Sequence, residues 1–194
     1  MFIVFEGIDG SGKSTQALLL ANLFKSRGID FVLTREPSGG KIGKRLRSLS
    51  VRLSPEEEFT LFLEDRVDHV RTLIAPALEA GKHVICDRYY YSSAAYQGSQ
   101  GLDPVGILKK NQSLALVPDI VFLICVSVET ALERIGKSRP AGYSIFEKRR
   151  DLEAVSAIYD TFDEPVIKRI DGNQLASEAH AEIVRWLELK GVKF

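Results

Sequence analysis

Gly7-Ile8-Asp9-Gly10-Ser11-Gly12-Lys13-Ser14 follows the pattern G-x-x-x-x-G-K-[ST], and its flanks decide what the pattern means. Met1-Phe2-Ile3-Val4-Phe5 is an apolar run with the length of a buried strand. On the other side, Ser14 to Arg27 carries Leu18, Leu19, Leu20, Ala21, Leu23 and Phe24 at helical spacing, and Gly28 offers a stop. A glycine-rich turn between strand and helix can close its N–H groups around phosphate oxygens, and the positive end of the helix dipole adds to the anion site. The stretch from Gly7 through Ile8, Asp9, Gly10, Ser11, Gly12, Lys13 and Ser14 to Thr15 is therefore expected to bind a nucleoside triphosphate. Lys13 would reach the β and γ phosphates, and the Ser14 hydroxyl is placed to ligate Mg²⁺.

The chain has 194 residues, 45% of them hydrophobic and 27% charged, enough to bury a substantial core in one domain without metals or disulfides. Its 26 basic and 26 acidic residues cancel, so no global field argues for nucleic acid or a membrane as partner. No apolar run approaches transmembrane length, and the opening stretch is too short for a signal peptide, so the expected location is cytoplasmic. Cys86 and Cys125 each sit inside apolar runs, where a thiol usually serves as a small core hydrophobe. Neither a disulfide nor a metal site is expected from them.

Further runs suited to buried strands recur at 30 to 34, 82 to 86, 120 to 126 and 165 to 170, with helical pattern between them, which indicates a parallel α/β sheet. Ser54-Pro55-Glu56-Glu57 offers an N-cap, a proline at the first helical position and a capping-box glutamate. The helix it opens is expected to break before Pro76 and resume towards Ala80, ending at Gly81. Asp103-Pro104 and Ser177 are further expected helix starts. Gly136 to Ile145 is polar, rich in Gly, Pro and basic residues, and reads as an exposed, mobile loop.

A phosphate-loop site needs a carboxylate at the end of a neighbouring strand to hold Mg²⁺ or its water shell, and Val84-Ile85-Cys86-Asp87 supplies one, followed by Arg88. With these residues the chain takes on a more specific look. Phe5 through Gln16, Thr34-Arg35-Glu36-Pro37, Asp87-Arg88-Tyr89 and Ser92-Ser93-Ala94-Ala95-Tyr96-Gln97-Gly98 resemble, in this order, the motifs of thymidylate kinases. Phe62 with Arg66, Pro118-Asp119, Phe146-Glu147 and Ile170-Asp171-Gly172-Asn173 extend the resemblance over nearly the whole chain.

The resemblance implies a three-layer phosphate-loop kinase fold: a five-stranded parallel sheet flanked by helices, with a lid over residues 136–147. It also implies transfer of the ATP γ-phosphoryl to dTMP, giving dTDP on the way to dTTP, with Mg²⁺ on Ser14 and Asp87 and a homodimeric assembly. In the family, the arginine matching Arg88 holds the acceptor phosphate, Arg35 lies in the segment lining that phosphate, and the carboxylate matching Asp9 reaches the sugar 3′-hydroxyl. Guanidinium suits the phosphate because its fork binds oxygens bidentately. By the same resemblance Phe62 stacks on the thymine ring, Arg66, Ser93 and Gln97 reach base edges, Tyr96 packs near the deoxyribose, and Glu36-Pro37 is cis.

Two departures matter. One family group carries an arginine where this chain has Gly10, so the catalytic arginine is sought in the lid, with Arg139 and Arg134 as candidates and Arg149 and Arg150 nearby. The family's strand before the lid often ends in aspartate, where Cys125 stands here. Tyr89-Tyr90-Tyr91 is expected to send at least one ring inward and another toward solvent. His69, His83 and His180 show no partner pattern for acid–base or metal chemistry. Two rival readings remain: a deoxynucleoside kinase on the same fold, which would want a carboxylate base for a neutral hydroxyl, and a nucleotide switch, whose base-reading N-K-x-D segment is missing.

Overall fold

Val4 and Phe5 are neighbours in sequence and face opposite layers, because side chains alternate along a strand. The computed structural model describes residues 1–49, 53–138 and 145–194, without the side chains of 138 and 145–148. In chain order the elements are β1 (Phe2–Glu6), α1 (Lys13–Ser26), β2 (Phe31–Arg35), α2 (Lys41–Ser48), α3 (Pro55–His69), a π-helical turn (Val70–Ile74), α4 (Ala75–Glu79) and β3 (His83–Asp87). Then follow α5 (Tyr90–Ser99), α6 (Pro104–Gln112), β4 (Ile120–Cys125), α7 (Val128–Ser138), α8 (Ile145–Asp160), β5 (Ile167–Asp171) and α9 (Ala176–Leu189). The five described strands form one parallel sheet in the order β2-β3-β1-β4-β5.

Ile3 and Phe5 pack with Leu20 and Phe24 of α1 and Ile183 and Leu187 of α9. Phe2 and Val4 face the other layer, with Ile74, Tyr89, Val155, Tyr159 and Phe162. Burying each such side chain contributes roughly 1.5–3 kcal/mol, which is why strands buried on both faces read as unbroken apolar runs. Asp119 closes the start of β1 by accepting the Phe2 N–H at 2.6 Å, a structural task for the Pro118-Asp119 pair.

Several local expectations change. The helix from Pro55 does not break before Pro76: after the Ser54–Glu57 capping box it runs on and widens into the π turn, where the Ala75 N–H donates to Val70 O. The wider turn shifts the hydrogen-bond register where Pro76 has no N–H to give. Asp103 does cap α6, accepting from the Val105 and Gly106 N–H groups. α9 starts earlier than Ser177, with Glu178 accepting the Leu175 N–H at 3.0 Å. Of the expected loop, Gly136 to Ser138 belong to α7 and Ile145 to α8, while 139–144 lie outside the described residues.

All three of Tyr89, Tyr90 and Tyr91 are buried, so none serves as the exposed ring that was expected. The helix they open packs against α3, α6 and α8, leaving its first turn no solvent face. Successive rings lie 4.9 and 4.7 Å apart between centroids, and burial pushes all three phenols above their ordinary pKa.

Candidate active site

β1 lies between β3 and β4, so the loop leaving its carboxyl end opens where ligands bind in open α/β sheets. Gly7 to Gly12 form that loop and hand over to α1 at Lys13. Gly10 has φ +81°, and a Cβ there would run into the backbone carbonyl of Ala131 on α7. A side chain at this position, arginine included, would therefore have to displace α7. Lys13 is buried, and its ammonium donates to Ile8 O at 3.2 Å and stands 3.8 Å from the Asp9 carboxylate. Burial, reinforced by the nearby Arg88 charge, lowers its pKa to about 8.

Phe5 and Asp87 are partners across β1 and β3, which sets Asp87 beside the loop. The Ser14 hydroxyl donates to Asp87 Oδ2, while Asp87 Oδ1 is buried without a hydrogen-bond partner among the described residues. A hydroxyl and an under-used carboxylate are hard oxygen donors, and the set fits Mg²⁺, which keeps most of its shell as water and phosphate oxygens. No cluster of three His, Cys, Asp or Glu that could hold a metal ion occurs among the described residues. Arg35, beside Asp87 in the sheet, is exposed and lines an open cleft with Ser14, Asp87 and Gly39. It stands on this side rather than among the residues lining the cavity described next.

That cavity, of about 200 Å³, is lined by Phe62, Arg66, Arg88, Ser93, Tyr96 and Gln97, joined by Glu36, Glu58 and Tyr89. Arg88 enters it from a left-handed backbone, φ 72°, a conformation that costs a non-glycine residue about 1–2 kcal/mol. Its guanidinium donates to Asp9 Oδ1 at 2.5 Å and to Ser92 Oγ at 3.1 Å, and lies 5.0 Å above the Tyr96 ring. The Asp9 N–H in turn donates to the Tyr96 hydroxyl at 3.1 Å. The phosphate loop and the cavity thus share Asp9.

Arg66 is fully buried at the cavity floor and donates through Nε to Glu36 (2.8 Å), and further to Asn111 Oδ1 (2.5 Å) and Ser93 Oγ (3.0 Å). Glu36 also faces His69 Nδ1 at 3.3 Å, and His69 Nε2 lies 2.8 Å from Thr34 Oγ1, so this histidine has structural partners that its sequence context did not disclose. The Glu36–Pro37 bond is cis. Asp65 fixes the following loop by accepting the Ser38 N–H and hydroxyl at 2.6 and 2.7 Å. Gln97 donates to Glu58 at 3.0 Å, and its Oε1 is buried without a partner among the described residues. Phe62 and Tyr96 are half-buried, each presenting part of a ring to the cavity.

On the far side of the loop, Ser11, Gly12, Thr15 and Arg134 line a second cavity of about 250 Å³ with Gly172 and Gln174. Arg134 donates to Ser11 O (3.2 Å) and Gly172 O (2.8 Å), tying α7 to the phosphate loop and to the β5–α9 turn. Arg149 is engaged between Glu129 (2.5 Å) and Glu153 (3.6 Å). Arg139 and the Phe146-Glu147 pair lie outside the described side chains. Cys125, where aspartate was the pattern, is half-buried, and burial raises its thiol pKa.

Residues 5–183 match the family model described as thymidylate kinase. The chain belongs to the thymidylate kinase family. It is 43% identical to a thymidylate kinase of Desulfotalea psychrophila over 94% of this chain and 91% of that one. A thymidylate kinase of Akkermansia muciniphila is 42% identical over 97% and 91%, and a probable thymidylate kinase of Archaeoglobus fulgidus 40% over 97% and 95%. The α/β architecture is that of the phosphate-loop kinases.

Glu6 and Glu36 stood inside the motif stretches without an assigned role, and Asp65 and Asn111 were not singled out.

Proposed function

We propose that the protein transfers the γ-phosphoryl group of ATP to dTMP, giving ADP and dTDP. The observation that carries this reading is the Asp9–Arg88 pair, which joins a triphosphate loop to a cavity with a stacking wall and a cationic mouth. Phosphoryl transfer is mainly positioning and charge neutralisation, so a site that holds two polyanions in register supplies most of the catalysis.

In this reading Lys13 and the loop amides hold the donor phosphates, and Arg88 holds the acceptor phosphate, while Arg35 would have to reach it from the neighbouring cleft beside Ser14 and Asp87. Phe62 stacks on thymine, while Arg66, Ser93 and Gln97 meet its edge. Tyr96 walls the deoxyribose, where a 2′-hydroxyl would collide. Asp9 turns from Arg88 to the sugar 3′-hydroxyl once phosphate takes over the guanidinium. Ser14 and Asp87 would hold Mg²⁺, which when bound neutralises charge on the transferring group. No general base is required, since the acceptor phosphate is already an anion. Arg134 sits on the donor side of the loop and bears on ATP, which leaves Arg139, in the lid over 136–147, as the first candidate for the catalytic arginine.

The chain acts as one domain, in the cytoplasm, on small-molecule substrates, without nucleic acid or membrane partners. No described helix is long and apolar enough to cross a membrane. Exposed Val67, Leu73 and Leu114 support a homodimer through the α3 side. Steady-state kinetics with ATP and Mg²⁺ across the nucleoside monophosphates test the reading; phosphorylation of neither dTMP nor dUMP would refute it.

A further inference from the structure

Glu6 is completely buried at the end of β1, one residue before the phosphate loop. Such a carboxylate is tolerated only when donors surround it. Its Oε1 accepts the N–H groups of Tyr89 (2.8 Å) and Ser92 (3.1 Å), which open α5, so the acid caps a helix from another element. Its Oε2 accepts the hydroxyls of Ser92 (2.5 Å) and of Tyr159 on α8 (2.9 Å).

The Ser92 hydroxyl has a single proton. Spent on Glu6, it leaves the Oγ lone pairs free to accept from Arg88 Nη1 at 3.1 Å. The other arm of the same guanidinium is held by Asp9. Arg88 is thus gripped from both sides of one loop, by Asp9 within it and, through Ser92, by the residue just before it. We propose that Glu6 is the positioning residue for Arg88: its charge sets the direction of the Ser92 hydroxyl and thereby aims the guanidinium at the acceptor phosphate.

A glutamine at position 6 keeps the shape and one acceptor but presents an amide donor to Ser92. The hydroxyl must then turn its hydrogen toward Tyr159 Oη, 3.0 Å away, and divide its lone pairs between the amide and Arg88, which weakens its hold on the guanidinium. The damage is specific to the phosphate of the acceptor, because the base contacts at Phe62, Ser93 and Gln97 are untouched.

The test compares dTMP with thymidine, which lacks the phosphate, by titration calorimetry on wild type, Glu6→Gln, Ser92→Ala, Arg88→Met and the Glu6→Gln/Arg88→Met double variant. Glu6→Gln and Ser92→Ala should each weaken dTMP binding about tenfold, the effect of removing one charge-assisted hydrogen bond, and leave thymidine binding unchanged. In the Arg88→Met background Glu6→Gln should add nothing. An equal loss for both ligands, an unchanged dTMP affinity, or additivity with Arg88→Met would overturn the proposal. It rests on Arg88 binding the acceptor phosphate: Arg88→Met failing to lower the dTMP to thymidine affinity ratio would overturn that reading itself. Should Glu6→Gln not fold, Ser92→Ala carries the same comparison.

Discussion

Asp9 and Arg88 form an ion pair at 2.5 Å across 79 positions of sequence, joining the phosphate loop to the cavity lined by Phe62, Arg66 and Tyr96. In the proposed reading the acceptor phosphate competes for Arg88 and releases the Asp9 carboxylate toward the sugar. A 3′-deoxy analogue of dTMP should therefore be a poorer substrate than dTMP for the wild type, and Asp9→Ala should shrink that preference by about tenfold, the value of a hydrogen bond to a charged group. The ratio of kcat/KM values in the two proteins reads it; an undiminished preference would remove Asp9 from the sugar.

Lys13 gives a proton-linked prediction. Its folded pKa of about 8 lies below the ordinary 10.5, so between these values the folded protein binds fewer protons than the unfolded chain, and this residue's linkage raises stability as pH climbs through the window. Triphosphate binding restores the charge. Calorimetry at pH 9 in buffers of different ionisation enthalpy should register uptake of about one proton per ATP, falling to about a tenth at pH 7. Lys13→Ala should abolish the uptake and lower turnover by several orders of magnitude.

The two lid-side arginines should separate kinetically. Arg134 is bound to Ser11 O and Gly172 O, and if it bears on the donor as proposed, Arg134→Ala should raise KM for ATP about tenfold, the loss of a charged group's hydrogen bonds, with KM for dTMP unchanged. Arg139→Ala should instead lower the rate of transfer about 10³-fold or more with dTMP affinity little changed. A rate effect of that size from Arg134→Ala and none from Arg139→Ala would exchange the roles.

Arg66 and Glu36 are a buried pair, so removing one member leaves a charge without its partner. Arg66→Met should lower the thermal midpoint by about 10 °C, since breaking such a pair costs about 3–5 kcal/mol. Adding Glu36→Gln should recover part of the loss. A midpoint that does not move on Arg66→Met would mean that Glu36 is adequately held by His69 alone.

The strands were legible to within two residues: β1, β3 and β4 because a parallel strand buried on both faces is a continuous apolar run, the half-buried edge strands β2 and β5 from shorter apolar stretches, and the phosphate loop because its glycines have no substitute. Arg88, Phe62 and Tyr96 were readable only as motif residues. The buried acids carried no readable role: what makes Glu6 tolerable is Tyr159, 153 positions away, and what makes Asp65, on α3, tolerable is Ser38, in the segment after β2. The fate of Tyr89 to Tyr91 depended in the same way on helices that cover α5 from several directions, and the π turn before Pro76 on a register shift that no local pattern announces.

The most direct measurement supplies the purified protein with ATP and Mg²⁺ and offers dTMP and thymidine in parallel, following ADP and the phosphorylated nucleotide. The account predicts dTDP and ADP in equal amounts from dTMP and no product from thymidine. Phosphorylation of thymidine in preference to dTMP, or ATP binding with no dTDP formed, would contradict it.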